Sequence, residues 1–102
     1  MATGDVFHAL GEATRRAIID HLAEQNGQTL YEICVRRAMK SGVALSRQAI
    51  SKHLAVLEEA GLIGVQWDGR SKRHYLERTA LREVARWVND HLEQGNSRED
   101  LQ

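Results

Sequence analysis

Hydrophobic and polar positions along this chain recur mostly at helical spacing. Val6, Phe7 and Leu10 share one side of a first short helix, α1, expected over residues 5–11. Ala17, Ile18, His21 and Leu22 set the apolar face of α2, over 12–25, which Asn26 and Gly27 end as a left-handed cap would. Thr29 followed by Glu32 is a capping-box pattern, in which each side chain satisfies a free backbone amide at the other's position. It opens α3, expected over 29–39, with Leu30, Ile33, Cys34 and Ala38 inward and a break at Ser41-Gly42. After the connection Val43-Ala44-Leu45, Ser46 is a good N-cap for α4, over 46–60, and Gly61 a good residue to close it. Helix, short turn and second helix make a helix-turn-helix arrangement.

In α4 the residues Ala49, Ile50, His53, Leu54, Leu57 and Ala60 fall on one face, and Arg47, Gln48, Ser51, Lys52 and Ala55 on the other. The period then changes to two. Ile63, Val65 and Trp67 alternate in a strand β1 (63–67), and Arg73, Tyr75 and Glu77 alternate in a return strand β2 (73–77). Asp68-Gly69 between them is a two-residue hairpin signal. A last helix, α5, is expected over 79–93. Its apolar stripe of Leu81, Val84, Ala85, Trp87, Val88, His91 and Leu92 is too wide for packing on one small core. It reads as a dimer face joined by Val6, Phe7 and Leu10, the alternative being that all of it packs internally. The chain thus divides into an N-terminal tail (1–4), one domain (5–93) and a polar, flexible C-terminal tail (94–102). The fold class is mainly α with a small β-hairpin, in the order α1-α2-α3-α4-β1-β2-α5 of a winged helix-turn-helix.

Composition narrows the class without deciding it. A chain of 102 residues with 42% hydrophobic and 27% charged residues is one soluble globular domain, neither disordered nor membrane-embedded. No apolar run approaches the roughly 20 residues of a spanning helix. The start, MATGDVFHALGE, lacks the basic and apolar blocks of a signal peptide, so no membrane partner is expected. The single Cys34 cannot form an internal disulfide, which fits a reduced, cytoplasmic setting.

Net charge is zero, but its distribution is uneven. Residues 36–53 hold Arg36, Arg37, Lys40, Arg47 and Lys52 with no acid, and residues 70–78 hold Arg70, Lys72, Arg73 and Arg78 against Glu77 alone. Such blocks can be solvated helix faces. Here they coincide with the front of α4 and the tip of the hairpin. Long donors at a helix front reach base edges, small residues let the backbone approach, and a basic hairpin beside it grips phosphates. No nucleophile–base–orienter set and no glycine-rich phosphate loop is present, so an enzyme is not expected.

At these residues the chain resembles the ArsR (arsenic repressor-like) family of bacterial winged-helix repressors, over about residues 5–93. SRQAISKHLAVLEEAGLI is similar to that family's recognition-helix pattern, supported by Gly69-Arg70 and Tyr75 in the wing and by ALGEATRRAIIDHL near the start. The resemblance implies a homodimer built on α1 and α5, a double-stranded DNA operator as partner, and repression relieved by a signal. Carried over by position, Ser46, Arg47, Gln48, Ser51, Lys52 and His53 form or flank the recognition surface, with His53 leaning toward the core by helical phase. Arg70, Lys72 and Arg73 become wing contacts, and Phe7, Leu10, Leu81, Val84, Trp87, Val88, His91 and Leu92 the dimer interface.

Three departures from the family pattern are visible. Glu12-Ala13 stands where proline is frequent, and Ala49 follows Gln48 where proline is common. More consequentially, the Cys-x-Cys pair of metal-sensing members is replaced by Cys34-Val35-Arg36, leaving one thiol and a cation. One sulfur cannot chelate a soft metal as two do. Asp90, His91 and Gln94 in the last helix also lack the family's full ligand spacing. No metal and no cofactor are therefore expected, and Cys34 reads as a small buried hydrophobe rather than a redox sensor. The effector is unknown. The rival to an operator-binding repressor is a winged helix used for protein–protein contact without DNA binding.

Overall fold

The computed structural model describes the backbone of residues 2–100 and the side chains of residues 6–93. Five helices and one hairpin follow in the expected order: α1 Ala2–Leu10, α2 Ala13–Glu24, α3 Leu30–Ser41, α4 Arg47–Glu59, β1 Ile63–Asp68, β2 Ser71–Leu76 and α5 Arg78–Asp100. α1 begins at Ala2, and α5 continues to Asp100, past the end expected at Glu93. Met1, residues 101 and 102 and the side chains of both chain ends lie outside the described residues, and with them much of the tails expected at 1–4 and 94–102. No described helix is long and apolar enough to cross a membrane.

Local chemistry fixes the helix ends. At α2 the Glu12 carboxylate accepts the amide of Arg15 at 3.0 Å. At α3 the capping box is formed in both directions, with Thr29 N donating to Glu32 and Glu32 N to Thr29. Ser46 Oγ accepts Ala49 N at 3.0 Å and so starts α4 where the sequence put it. Each cap satisfies an amide that has no partner within its helix.

The core forms where the apolar faces of α1–α4 meet the base of the hairpin. Val6, Ala9, Ile18, Leu22, Ile33, Ile50, Leu54, Leu57, Leu62, Ile63 and Leu76 are all buried. Removing each large aliphatic side chain from water stabilises by about 1.5–3 kcal/mol, before conformational entropy is counted. Val6, expected beside Phe7 on the dimer face, is a core residue at 1% exposure. Leu81 and Val84 of α5 pack against this core and are half-buried.

The hairpin differs from its expected form in two ways. Asp68 pairs with Ser71, so the turn residues are Gly69-Arg70 rather than Asp68-Gly69. Gly69 has φ +63°, and glycine at the first of two turn residues is the demand of a type II′ turn. β2 ends at Leu76, so Glu77 of the expected alternating set lies outside it, and its buried side chains are His74 and Leu76.

An isolated antiparallel bridge ties Gln28, in the α2–α3 connection, to His74 of the two-stranded sheet. His74 N donates to Gln28 O at 2.8 Å, and Gly27 N donates to His74 O at 3.0 Å. Asn26 Oδ1 accepts Leu76 N, and Gln28 Nε2 donates to His21 O and Gln25 O. Gly27 is therefore a bend beside this bridge, two residues past the Gln25 cap of α2. Its φ is +80°, and a Cβ there would lie 3.0 Å from the Tyr75 ring.

Candidate nucleic-acid interface

The packing of α4 decides which of its residues face outward. Ile50, Leu54 and Leu57 are buried, so Ser46, Arg47, Gln48, Ser51, Lys52 and Ala55 are exposed on the opposite side. A buried hydrophobic stripe thereby holds a polar, basic front rigidly toward solvent. His53 is turned away from that front. Its Nδ1 lies 3.3 Å from Arg15 Nη1 and 4.0 Å from Glu12 Oε1, in the seam between α2 and α4.

The wing stands beside this helix. Arg47 and Ser51 of α4 line one cleft of about 480 Å³ with Arg70 and Lys72 of the wing and with Leu30 and Tyr31 at the start of α3. Four residues expected at a DNA surface thus converge from two elements. Glu58, where the acidic side of α4 begins, also lines the cleft.

Arg73 sits elsewhere. It is half-buried, its Nη1 donating to Gly27 O at 2.9 Å and lying 3.7 Å from Glu32, while its Nε donates to Asp68 at 3.3 Å. Strand alternation sends it to the sheet face opposite Lys72. It ties the wing to the α2–α3 connection.

Part of the basic block at 36–53 is also engaged within the chain. Arg36 and Lys40 both pair with Glu24 of α2, at 3.3 and 3.0 Å, and Lys40, with Arg36 behind it, holds the Glu24 carboxyl below its ordinary range. These exposed pairs add little stability, and the one carboxylate shared by two cations offsets part of the positive charge on this side of α3. Arg36 stands where metal-sensing relatives carry the second thiolate. Burial pushes the remaining Cys34 thiol up, with Arg47 opposing, so it stays protonated near neutrality. Among the described residues no three of His, Cys, Asp and Glu come together as a metal would require.

The expected dimer residues divide. Phe7 and Leu10 are half-buried, and Phe7 packs edge-on to Trp87 with ring centroids 5.2 Å apart. Trp87 in turn lies 4.2 Å from the His91 ring, whose Nδ1 approaches Trp87 O. Trp87, Val88 and Leu92 remain 49%, 41% and 60% exposed, a contiguous apolar strip on the outer side of α5. Arg15 and Arg16, which sequence reading passed over, cap the end of α1. Arg15 donates to Ala9 O and His8 O, and Arg16 donates to Leu10 O. Only their position after Glu12 at the start of α2 could have hinted at this.

A helix-turn-helix followed by a basic-tipped hairpin defines a winged-helix DNA-binding domain. Residues 10–66 match the helix-turn-helix domain family, and the chain belongs to it, among the ArsR-like winged helix-turn-helix transcriptional regulators. It is 49% identical over 65 residues to YuzN of Bacillus subtilis (strain 168), named as an uncharacterized HTH-type transcriptional regulator, covering 64% of this chain and 71% of that one. An ArsR-like transcriptional regulator from Rhodococcus sp. RHA1 superimposes with a TM-score of 0.76 at 29% identity, over 95% of this chain and 85% of that one. The homodimeric winged helix-turn-helix DNA-binding domain of Mb0332 from Mycobacterium bovis has the same fold, with a TM-score of 0.67 at 24% identity over 91% and 83% of the two chains. This family regulates transcription and is not enzymatic.

Proposed function

We propose that the chain is a homodimeric repressor that binds an inverted-repeat operator and operates without the Cys-pair metal site of metal-sensing relatives. The observation that carries this reading is the shared cleft, in which Arg47 and Ser51 of α4 face Arg70 and Lys72 of the wing. In the bound state the front of α4 lies in the major groove. Arg47 and Gln48 read base edges, with Ser51 and Lys52 beside them, each bidentate pair contributing about 1–3 kcal/mol of discrimination. Arg70 and Lys72 neutralise backbone phosphates, a salt-dependent and sequence-independent contribution. Arg73 and His53 act behind this surface, the first holding the wing and the second seating α4 against α2.

The second subunit joins through α1 and α5. Trp87, Val88 and Leu92 supply the exposed apolar strip, His91 and Phe7 flank it, and Leu10, Leu81 and Val84 support it from behind. The homodimeric Mb0332 domain, similar in fold, supports this assembly. Two α4 helices then enter successive major grooves about 34 Å apart. Arg36 in place of a second thiolate and a protonated Cys34 support the absence of a thiolate metal site. Footprinting on the promoter of the chain's own gene tests the proposal. Two protected half-sites one helical turn apart are expected; one unsymmetrical protected half-site would contradict the dimer.

A further inference from the structure

A second cleft, of about 460 Å³, opens between the polar side of α2 and the C-terminal half of α3, lined by Asp20, His21 and Glu24 on one side and Arg37 and Lys40 on the other. It lies away from the recognition helix and the wing. Two of its polar groups are buried and unsatisfied. His21 is 3% exposed, and neither ring nitrogen has a hydrogen-bond partner among the described residues. The Nε of Arg37 is likewise buried without a partner. Its neighbours Arg36 and Lys40 both pair with Glu24, while the Arg37 guanidinium makes no ion pair among the described residues, although Asp20 lines the same cleft. Buried donors are almost always satisfied, and two unsatisfied ones at one cleft point to a partner that supplies acceptors.

The donor set defines that partner. A guanidinium Nε–H can only donate, and a neutral imidazole offers one N–H. Burial, and Arg37 after it, depress the His21 pKa, so the ring is neutral near pH 7. A cation would meet the Arg37 charge, and an apolar ligand would leave both donors unpaired. An oxyanion satisfies both, accepting from the Arg37 guanidinium and from the imidazole N–H. Glu24 is neutralised by Arg36 and Lys40, leaving Asp20 as the counter-charge at the rim.

We infer that this α2–α3 cleft binds a small oxyanion, a carboxylate or a phosphate, through Arg37 and His21. Occupancy joins α2 to the end of α3, the helix that leads through Val43–Leu45 into α4. An effect on DNA affinity would rest on the operator reading above, whereas the binding itself does not.

NMR on the full chain without DNA tests the site. His21 ring and Arg37 Nε–H signals are followed as sodium acetate, or in a separate arm sodium phosphate, replaces chloride at constant ionic strength. Saturable shifts at both residues are expected with one of the two anions, and the arm that saturates identifies carboxylate or phosphate. Arg37→Gln, at a half-exposed position that leaves the core intact, should weaken saturation about tenfold through loss of a charge-assisted bond. His21→Phe, which keeps the packing and removes the donor, should weaken it as well. The inference is overturned if both anions give linear, non-saturating shifts, the mark of an adventitious ion only. Shifts confined to Arg47, Arg70 and Lys72, or unchanged in both variants, overturn it equally.

Discussion

Arg15 of α2 and His53 of α4 meet at 3.3 Å, while the same guanidinium donates at 2.7 Å to Ala9 O, where α1 ends. One side chain therefore spans the helix that carries Phe7 and Leu10 and the helix that carries Arg47 and Gln48. Removing it leaves the carbonyls of Ala9 and His8 without their donors and loosens the seat of α4. Arg15→Ala should cost about 1–3 kcal/mol in stability, because hydrogen bonds to charged groups are lost. A thermal melt should show a fall of about 4–8 °C for each kcal/mol. His53→Ala should cost clearly less, since Arg15 keeps its carbonyl partners.

Arg73 and Lys72 are adjacent in sequence and differ in role. Lys72→Ala should lower affinity for all duplexes alike and reduce the slope of log K against log salt by about one. Arg73→Ala should chiefly lower stability, because it breaks the bond to Gly27 O and the contacts with Asp68 and Glu32. Salt-dependent anisotropy titrations and melts of the two variants separate these outcomes. An unaltered melt for Arg73→Ala with a reduced salt slope would return it to the phosphate contacts.

The exposed strip on α5 gives a test of assembly. Leu92→Glu places a charge on a residue that is 60% exposed in the single chain, so the monomer should fold normally. Sedimentation should then show a monomer for this variant and a dimer for the unaltered chain, and operator affinity should fall with it. A Leu92→Glu chain that still sediments as a dimer would move the interface elsewhere.

Acid should destabilise the fold partly through His21. Its folded pKa lies below the ordinary 6.5, first because of burial and then because of Arg37. The unfolded chain therefore binds the proton more readily. The stability His21 permits is full above pH 6.5 and falls as pH drops from there through the lower folded value. In His21→Phe this contribution to the slope should vanish, and the variant should be more stable at neutral pH, because two buried, unsatisfied ring nitrogens are removed. Denaturant midpoints measured at several pH values read both effects.

What the sequence made legible follows from what is local. The Thr29–Glu32 capping box, the Ser46 cap, the Gly61 terminus and the two faces of α4 depend on neighbours within a turn, and each formed where expected. The hairpin turn was displaced by one residue because Asp-Gly and Gly-Arg both suit a tight turn, and the pairing of Ile63 with Leu76 selects between them. The bridge between Gln28 and His74 joins residues far apart in the chain, so no periodicity announces it. The same holds for Arg73, whose sequence neighbours suggested a phosphate contact while its partners lie at Gly27 and Glu32. Arg36 and Lys40 belonged to an apparent basic block, and only the packing of α3 on α2 shows that they share the single carboxylate of Glu24. The helical continuation of α5 to Asp100 lacks any apolar repeat to signal it.

The central claim is that the α4 front and the wing read a specific operator. Its most direct test is a competition titration at fixed, near-physiological salt between duplex from the chain's own promoter and a scrambled duplex of equal length and composition. The account predicts at least about a thousandfold preference for the promoter duplex, most of it lost in Arg47→Ala. Equal affinity for the two duplexes, or a preference unchanged by Arg47→Ala, would contradict it.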